Sequence, residues 1–335
     1  MNEHPGPVPQ KFALIVVNYG SAHLLAKNLA GLELAGLGGR IVVVDNYSSG
    51  PEREAVQRLA ASGDWTFLAL EGNQGFGAGV NAGARAAFAD GAVAMAVLNP
   101  DAHIETTDLM NLVSAVLADS MLMVSPVMKT SGGSIWFDGM ELYTDTGTVA
   151  SRRRRVPPAG PHEPWLSGAC FAVSRALWEH VGGFDEDYFL YWEDVDLSRR
   201  VADSGARLAV LDHVAAVHDA GGTQVRIGGA GTKSETFYYY NIRNRLVYAA
   251  KHVHGKQLRR WILATPRVSC EILLGGGRRV LLSSTVPLRA YVRGIVDGCR
   301  MLADIRYRPR ISASVNKAVA GTIETTHTHT ERARP

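Results

Sequence analysis

Apolar residues occupy the first hundred positions in short blocks, and the blocks alternate between two spacings. Phe12–Asn18 (FALIVVN), Ile41–Asp45 (IVVVD), Trp65–Leu70 and Ala92–Leu98 are near-continuous apolar runs, the pattern of strands covered on both faces. Between them, Ala22–Leu37 brings Leu25, Leu29 and Leu32 back at helical intervals, and Glu52–Ser62, Gly79–Asp90 and Thr107–Asp119 read as further helices. Strand and helix in alternation predict an α/β fold with a largely parallel sheet. After residue 120 the pattern is mixed. Ser131–Val156 reads as hairpins; Leu166–Val173, Leu208–Val210 and Ala215–His218 are strand candidates; Arg175–Val181 and Glu193–Ser204 are helices. From Glu235 the chain reads as mainly helical, and 312–335 as a disordered tail.

Composition excludes several classes. With 335 residues, 46% hydrophobic and 20% charged, the chain is too apolar for a disordered protein and long enough for one large domain with an appendage, or for two. Three widely separated cysteines without CxxC spacing support neither a disulfide framework nor a cysteine zinc site, and point to a reducing compartment. The polar start MNEHPGPVPQK lacks the apolar core of a secretory signal, no apolar run reaches the ~18–20 residues that span a bilayer, and no internal repeat is found. The net charge of +3 conceals a division: residues 1–250 carry 19 Lys/Arg against 27 Asp/Glu, residues 251–310 carry 13 against three.

Ligands of open parallel sheets bind at the carboxyl ends of the strands, and all four early strands end on polar residues: Asn18-Tyr19, Asp45-Asn46, Glu71-Gly72-Asn73 and Asn99-Pro100-Asp101. Any one such acid is equally a helix cap; four together point to a site. The glycine-rich turn 72–79, with Gly75 and Gly77, leads into a helix and suits an anion such as a pyrophosphate. It also gives a displaced fit to a dinucleotide fingerprint, which belongs on the first strand–helix turn. Asn99 and Asp101, two residues apart, face the same way in extended chain and suit Mg2+ or Mn2+ completed by phosphate and water. The acids of Phe184–Leu197, Glu193 and Asp194 among them, are interleaved with Phe, Tyr and Trp. Such surroundings raise a carboxylate pKa and improve it as a general base, while the first turn of a helix also favours acids. His218 follows a short strand and reads equally as a structural histidine.

Taken together, IVVNYGS (15–21), VVVDNYSSG (42–50), EGNQGFGAGVNAGARAA (71–87), LNPDA (98–102), WLSGACFAVSRALWEHVGGFDEDYFLYWEDVDLSRRV (165–201) and HDAGGTQ (218–224) resemble the family 2 inverting glycosyltransferases of GT-A fold, in their bacterial rhamnosyltransferase-like branch. The resemblance implies a Rossmann-like catalytic domain over 12–250, with a nucleotide-binding half at 12–120 and an acceptor half at 121–250. These lie between a flexible 1–11 and a basic helical segment at 251–311. It implies that Asp45 accepts from a uracil or thymine base in a pocket lined by Tyr19 and Asn73, with Asn18, Asn46, Gly75, Gly77, Asn81 and Asn99 also on the donor. Asp101 becomes the metal-binding acid of an Asp-x-Asp element whose first position is Asn99. His218 becomes a second metal ligand, Asp194 the general base with Glu193 beside it, and Gly168 and Ala169 part of the sugar pocket. The expected reaction is a single displacement from a dTDP- or UDP-linked sugar, dTDP-L-rhamnose first among them, onto a saccharide or polyprenyl-diphosphate-linked acceptor in cell-envelope polysaccharide synthesis.

The basic segment alternates apolar clusters with arginine, a pattern that fits helices on an anionic membrane surface and equally amphipathic helices packed on the body. It has no zinc spacing or RNP-like motif, so nucleic acid is not expected. Location is expected to be cytoplasmic, peripheral at the inner face of the plasma membrane. Arg152–Arg155 is a solvated loop or a contact for acceptor phosphate. Two other classes stand beside the transferase: a nicotinamide-dependent oxidoreductase, resting on the displaced glycine pattern, and a catalytically silent binding module.

Overall fold

The computed structural model describes residues 11–218, 233–275 and 284–307. The chain opens with β1 (Phe12–Asn18), α1 (Ala22–Leu29), β2 (Gly39–Asp45), α2 (Gly50–Ser62), β3 (Thr66–Ala69), α3 (Phe76–Ala89) and β4 (Ala94–Leu98). It continues through β5 (Ala102–Ile104), α4 (Thr106–Ala118), β6 (Leu122–Lys129), β7 (Ile135–Phe137), β8 (Met140–Tyr143), β9 (Thr148–Ser151), β10 (His162–Trp165) and β11 (Cys170–Ser174). The remainder is α5 (Arg175–Val181), α6 (Glu193–Asp203), β12 (Arg207–His218), α7 (Glu235–His252), α8 (Gly255–Leu274) and α9 (Val286–Tyr307). Nine strands form the central sheet in the order β3-β2-β1-β4-β11-β6-β12-β5, with β7 on β6; β10-β8-β9 form a second, small sheet.

The first four strands are parallel, and β4 lies on the opposite side of β1 from β2. This reversal is the switch point beside which open α/β sheets bind ligands. Two antiparallel pairings then bring distant segments to the same edge. β11 sets Cys170 opposite Leu98, placing Gly168-Ala169 beside Asn99, and β12 sets His218 opposite Ala102, next to Asp101. Burial of β1, β2 and β4 is nearly complete, as their continuous apolar runs predict.

The structure departs from the sequence reading at several elements. Ala22–Leu37 is not one helix. α1 stops at Leu29 and a 3-10 turn covers Ala35–Leu37, because Gly31 and Gly36 weaken a helix and Gly38, at φ 78°, turns the chain back into β2. Leu208–Val210 and Ala215–His218 belong to one strand, β12, with an irregularity between Leu211 and Ala215. The strand candidate at Leu166 begins at Cys170, and β5, β6 and β10 are additional.

The C-terminal helices pack on one another, and α7 also packs on the acidic segment 185–196. Trp261 of α8 is fully buried and stacks on Tyr248 of α7 at 5.6 Å. On α9, Ala290, Gly294 and Gly298 recur every fourth residue against α7. A Cβ on Gly294 would come within 2.9 Å of the Tyr239 carbonyl, and one on Gly298 within 2.8 Å of Leu246. The outer faces carry exposed Leu263, Leu288, Val292 and Val296. Of the three free cysteines, Cys170 is buried and Cys270 and Cys299 are exposed. The expected flexible residues 1–10, the HDAGGTQ segment beyond His218, the Val280–Leu282 cluster and the 312–335 tail lie outside the described residues.

Candidate active-site cleft

The parallel ladder places Asn18 opposite Asp45 at the ends of β1 and β2, both fully buried. Arg53 Nε donates to Asp45 Oδ2 at 2.6 Å, and the Ser21 amide donates to Asn18 Oδ1 at 3.1 Å. Each side chain keeps one polar atom without a partner, Asp45 Oδ1 and Asn18 Nδ2. A buried acceptor and a buried donor side by side are costly unless a ligand completes them. Above them, Asn46 ties the glycine-rich turn down: its Nδ2 donates to Asn73 Oδ1 and to the Gly75 carbonyl, both at 3.0 Å, and its Oδ1 accepts from Gln74 N at 2.9 Å.

That turn is not an open anion cradle. Gly75, at φ 91°, lies so close to Phe189 that a Cβ would stand 2.3 Å from its carbonyl oxygen. A Cβ on Gly77 would meet Phe184 at 2.9 Å, one on Gly79 Val17 at 2.8 Å, and one on Gly83 Ile15 at 2.6 Å. The glycines therefore let α3 lie against the sheet and against the acidic segment 184–193. Asn81 serves the same join: it accepts from Phe184 N and donates to the Phe184 carbonyl and Glu186. Gly77 and Asn81, expected on the donor, thus do not line the cleft; Asn81 lines a separate cavity of about 610 Å³ with Arg85, Trp178 and Glu186.

At the end of β4, Asp101 is 7% and His218 6% exposed. His218 Nε2 lies 3.2 Å from Asp101 Oδ1, yet the two are not aligned as a hydrogen bond, and Asp101 Oδ1 and both ring nitrogens lack partners. Adjacent ligands of an octahedral ion with ~2.1 Å arms stand about 3 Å apart, so this oxygen–nitrogen pair fits two positions around Mg2+ or Mn2+. Among the described residues no group of three or more His, Cys, Asp or Glu could hold a metal; the remaining positions suit diphosphate and water.

The carboxylates of α6 follow a strained turn. Tyr191 and Trp192, which precede Glu193, have φ of 64° and 73°, a region that bulky residues occupy at a cost of about 1–3 kcal/mol each. Trp192 is anchored against Tyr248 and Trp261. Asp194 is half-buried; its Oδ2 accepts from Gly168 N at 3.0 Å and its Oδ1 from Val195 N at 2.9 Å. Burial pushes Asp194 up to about 6, with these backbone N–H groups limiting the rise. Glu193 is more deeply buried with Oε2 unpartnered, and burial followed by the Asp194 charge lifts it well above the carboxylate range. Burial thus raises both carboxyls of the pair, Glu193 further than Asp194, whose two backbone N–H donors limit the rise. Burial would raise Asp196 too, but His252 and Arg200 overcome it and hold that acid low.

These parts meet around a cleft of about 1670 Å³ lined by Tyr19, Asn46, Asn73, Gly75, Asn99, Asp101, Gly168, Glu193, Asp194 and His218 of the sequence-expected residues. Asn18 and Asp45, both fully buried, are not among its lining residues. The sequence reading did not assign to the site the further lining residues Trp136, whose ring lies 4.4 Å from that of His218, Trp165, Phe189, Phe237 and Tyr240, nor Ile272 and Leu274 of α8. Of the arginine run, Arg154 reaches the cleft, while Arg152 pairs with Glu141 and Arg153 with Asp138.

Comparison with known proteins agrees with this geometry. A low-salt glycan biosynthesis hexosyltransferase, Agl10, of Haloferax volcanii is 26% identical over 256 residues, 74% of this chain and 78% of that protein. An N-acetylglucosaminyl-diphospho-decaprenol L-rhamnosyltransferase of Mycobacterium tuberculosis is 48% identical over 58 residues, which is 17% of this chain and 19% of that one. Among solved structures, mannosyltransferase PcManGT from Pyrobaculum calidifontis, in complex with GDP-Man and Mn2+, has a TM-score of 0.52 at 16% identity over 91% of this chain and 89% of its own. GalNAc-T7 with UDP, GalNAc and Mn2+ has a TM-score of 0.52 at 12% identity over 81% of this chain and 59% of its own. The architecture is the GT-A fold of these transferases. A family model described as glycosyl transferase family 2 matches residues 13–182, just over half the chain, and the protein therefore belongs to glycosyl transferase family 2.

Proposed function

We propose that this glycosyltransferase works by inversion, with Asp194 as the general base, on a dTDP- or UDP-linked donor, L-rhamnose from dTDP-L-rhamnose being the preferred sugar. The observation that carries the reading is Asp194 itself: ionised near neutrality, fixed by the Gly168 and Val195 amides, and lining the same cleft as Asp101 and His218. The acceptor hydroxyl passes its proton to Asp194 as its oxygen attacks the anomeric carbon from the face opposite the diphosphate, so one displacement inverts that centre. One carboxylate suffices, because a single displacement releases one proton from the acceptor hydroxyl. Asp101 and His218 would hold the divalent cation, whose charge offsets the charge growing on the departing diphosphate. Asp45 Oδ1 and Asn18 Nδ2 match the N–H and carbonyl edge of a dioxopyrimidine.

The sugar identity is supported by the rhamnosyltransferase likeness over 58 residues and by no contact in the cleft. For the acceptor, we read a polyprenyl-diphosphate-linked saccharide in cell-envelope polysaccharide synthesis. Phe237, Ile272 and Leu274 in the cleft lining, with Lys233, Glu235 and Glu271 beside them in sequence, suit a lipid carrying a charged head, and α8 and α9 carry exposed Leu263, Leu288, Val292 and Val296 among arginines. That combination suits an anionic membrane at its cytoplasmic face; among the described residues no helix is long and apolar enough to cross a membrane. Gly77 and Gly79, on which a nicotinamide reading rested, pack against Phe184 and Val17 and lie outside the cleft lining.

Thermal-shift titration with dTDP, UDP, GDP and NAD, with and without Mn2+, tests the reading. Stabilisation by dTDP or UDP that grows with Mn2+ is expected; stabilisation by NAD alone overturns it.

A further inference from the structure

Helix α7 packs Phe237, Tyr240 and Tyr248 against Tyr191, Phe189 and Trp192 of the acidic segment and, among the described residues, reaches it with four polar side chains. Arg243 Nη1 donates to the Asp187 carbonyl at 3.1 Å, Lys251 pairs with Asp187 at 2.6 Å and also with Asp185, and His252 meets Asp196 Oδ1 at 2.6 Å. The fourth is Asn244, fully buried. Its amide nitrogen donates to the Leu190 carbonyl at 2.9 Å and to the Tyr191 carbonyl at 2.7 Å, while its Oδ1 accepts from Arg243. The arginine therefore fixes which way the amide faces, and both N–H hydrogens are engaged.

A buried asparagine that satisfies loop carbonyls is ordinarily a packing device. Here the two carbonyls flank Tyr191, the first of two residues held in the left-handed region, and Glu193-Asp194 follow at once. Rotation of either peptide would swing the Asp194 side chain away from the Gly168 amide and from the cleft. Relaxation toward an ordinary conformation is favoured unless something holds these carbonyls.

We propose that Asn244 is a positioning residue for glycosyl transfer: by gripping the Leu190 and Tyr191 carbonyls it keeps the 191–192 turn left-handed and aims Asp194 at the acceptor. The proposal rests on the reading of Asp194 as base. Asn244→Asp keeps shape and sets an acceptor against two carbonyls; Asn244→Ser keeps one donor.

The test is steady-state kinetics on the full-length wild type, both Asn244 variants and Asp194→Asn, using the donor selected by the nucleotide titration and a synthetic prenyl-diphosphate-linked saccharide, with melting curves for each. A misplaced reacting group costs on the order of 10²-fold, so Asn244→Asp should lose about that in kcat with donor KM within about 3-fold, and Asn244→Ser should fall between it and wild type. The proposal is overturned by a kcat for Asn244→Asp within about 3-fold of wild type, by parallel loss of kcat and donor binding, or by failure of both variants to fold, which would make Asn244 a stability residue. Retained activity in Asp194→Asn removes the base assignment itself; an inactive Asp194→Asn beside a fully active Asn244→Asp removes the positioning role alone.

Discussion

Replacing Asp194 by Asn separates what the carboxylate does for the reaction from what it does to the fold. Burial raises Asp194 from an ordinary 3.8 to about 6. Its folded-state value lies above its unfolded one, so the native protein is favoured while the group is protonated and loses stability as pH rises from about 4 to about 6. That interval, at about 1.4 kcal/mol per pH unit, amounts to about 3 kcal/mol of strain from a buried charge above pH 6.5. Asparagine carries no charge but retains only one acceptor for the Gly168 and Val195 amides, which returns about 1 kcal/mol of cost. The net gain of about 2 kcal/mol corresponds to a melting temperature about 4–8 °C higher at pH 8 for a domain of this size. At pH 4 the advantage should vanish. Activity should move the opposite way, down by ~10²–10⁴-fold, while wild-type kcat climbs from about a tenth to about nine-tenths of its maximum between pH 5 and pH 7. Scanning calorimetry at pH 4 and pH 8 with a nucleoside-diphosphate release assay makes the comparison. A variant no more stable than wild type at pH 8, or one that still turns over, refutes the argument.

Three further outcomes are expected. Asp101→Ala and His218→Ala should each lose the Mn2+-dependent part of nucleotide stabilisation while leaving the melting temperature of the nucleotide-free protein within a few degrees; calorimetric Mn2+ titration with dTDP present checks this, and undiminished binding in both would place the ion elsewhere. Gly83→Ala inserts a Cβ 2.6 Å from Ile15 and should cost about 1–3 kcal/mol in urea denaturation, whereas Gly31→Ala, with open space around it, should cost nothing or stabilise. Leu288→Asp with Val292→Asp, both on the exposed face of α9, should abolish co-sedimentation with phosphatidylglycerol vesicles yet spare transfer to a detergent-soluble acceptor; unchanged sedimentation would remove the membrane reading.

The strands that build the nucleotide half were legible because each is buried on both faces and so written as an unbroken apolar run. β6 escaped for a physical reason. Ser125 and Pro126 interrupt its run, but the serine hydroxyl is satisfied by the Cys170 carbonyl at 2.9 Å, and the proline lies opposite Leu211, where pairing with β12 becomes irregular and a missing N–H is tolerated. Of the candidate site, Asp101 and Asp194 were visible as acids at strand and helix ends, and their shared cleft follows from pairings between segments far apart in sequence. Gly77 and Gly79 gave an ambiguous signal, because a glycine needed for close packing, as these are against Phe184 and Val17, and one needed for an anion look alike in sequence. Asn244 gave no signal within TFYYYNIRNRLVY: its partners lie 53 and 54 residues away.

The pairing of β4 with β11 has a consequence for how such a protein can change. Asn99 N donates to the Ala169 carbonyl at 2.8 Å, so the segment bearing Asp101 and the segment whose Gly168 amide grips Asp194 are neighbours on one backbone ladder. Strand spacing in a ladder is fixed at about 4.8 Å whatever the side chains. The interval between Asp101 and Asp194 is thereby tied to main-chain geometry. The lining residues Trp136, Trp165, Phe237 and Tyr240 belong to other elements, so substitution there can reshape the cleft while that interval stays as it was.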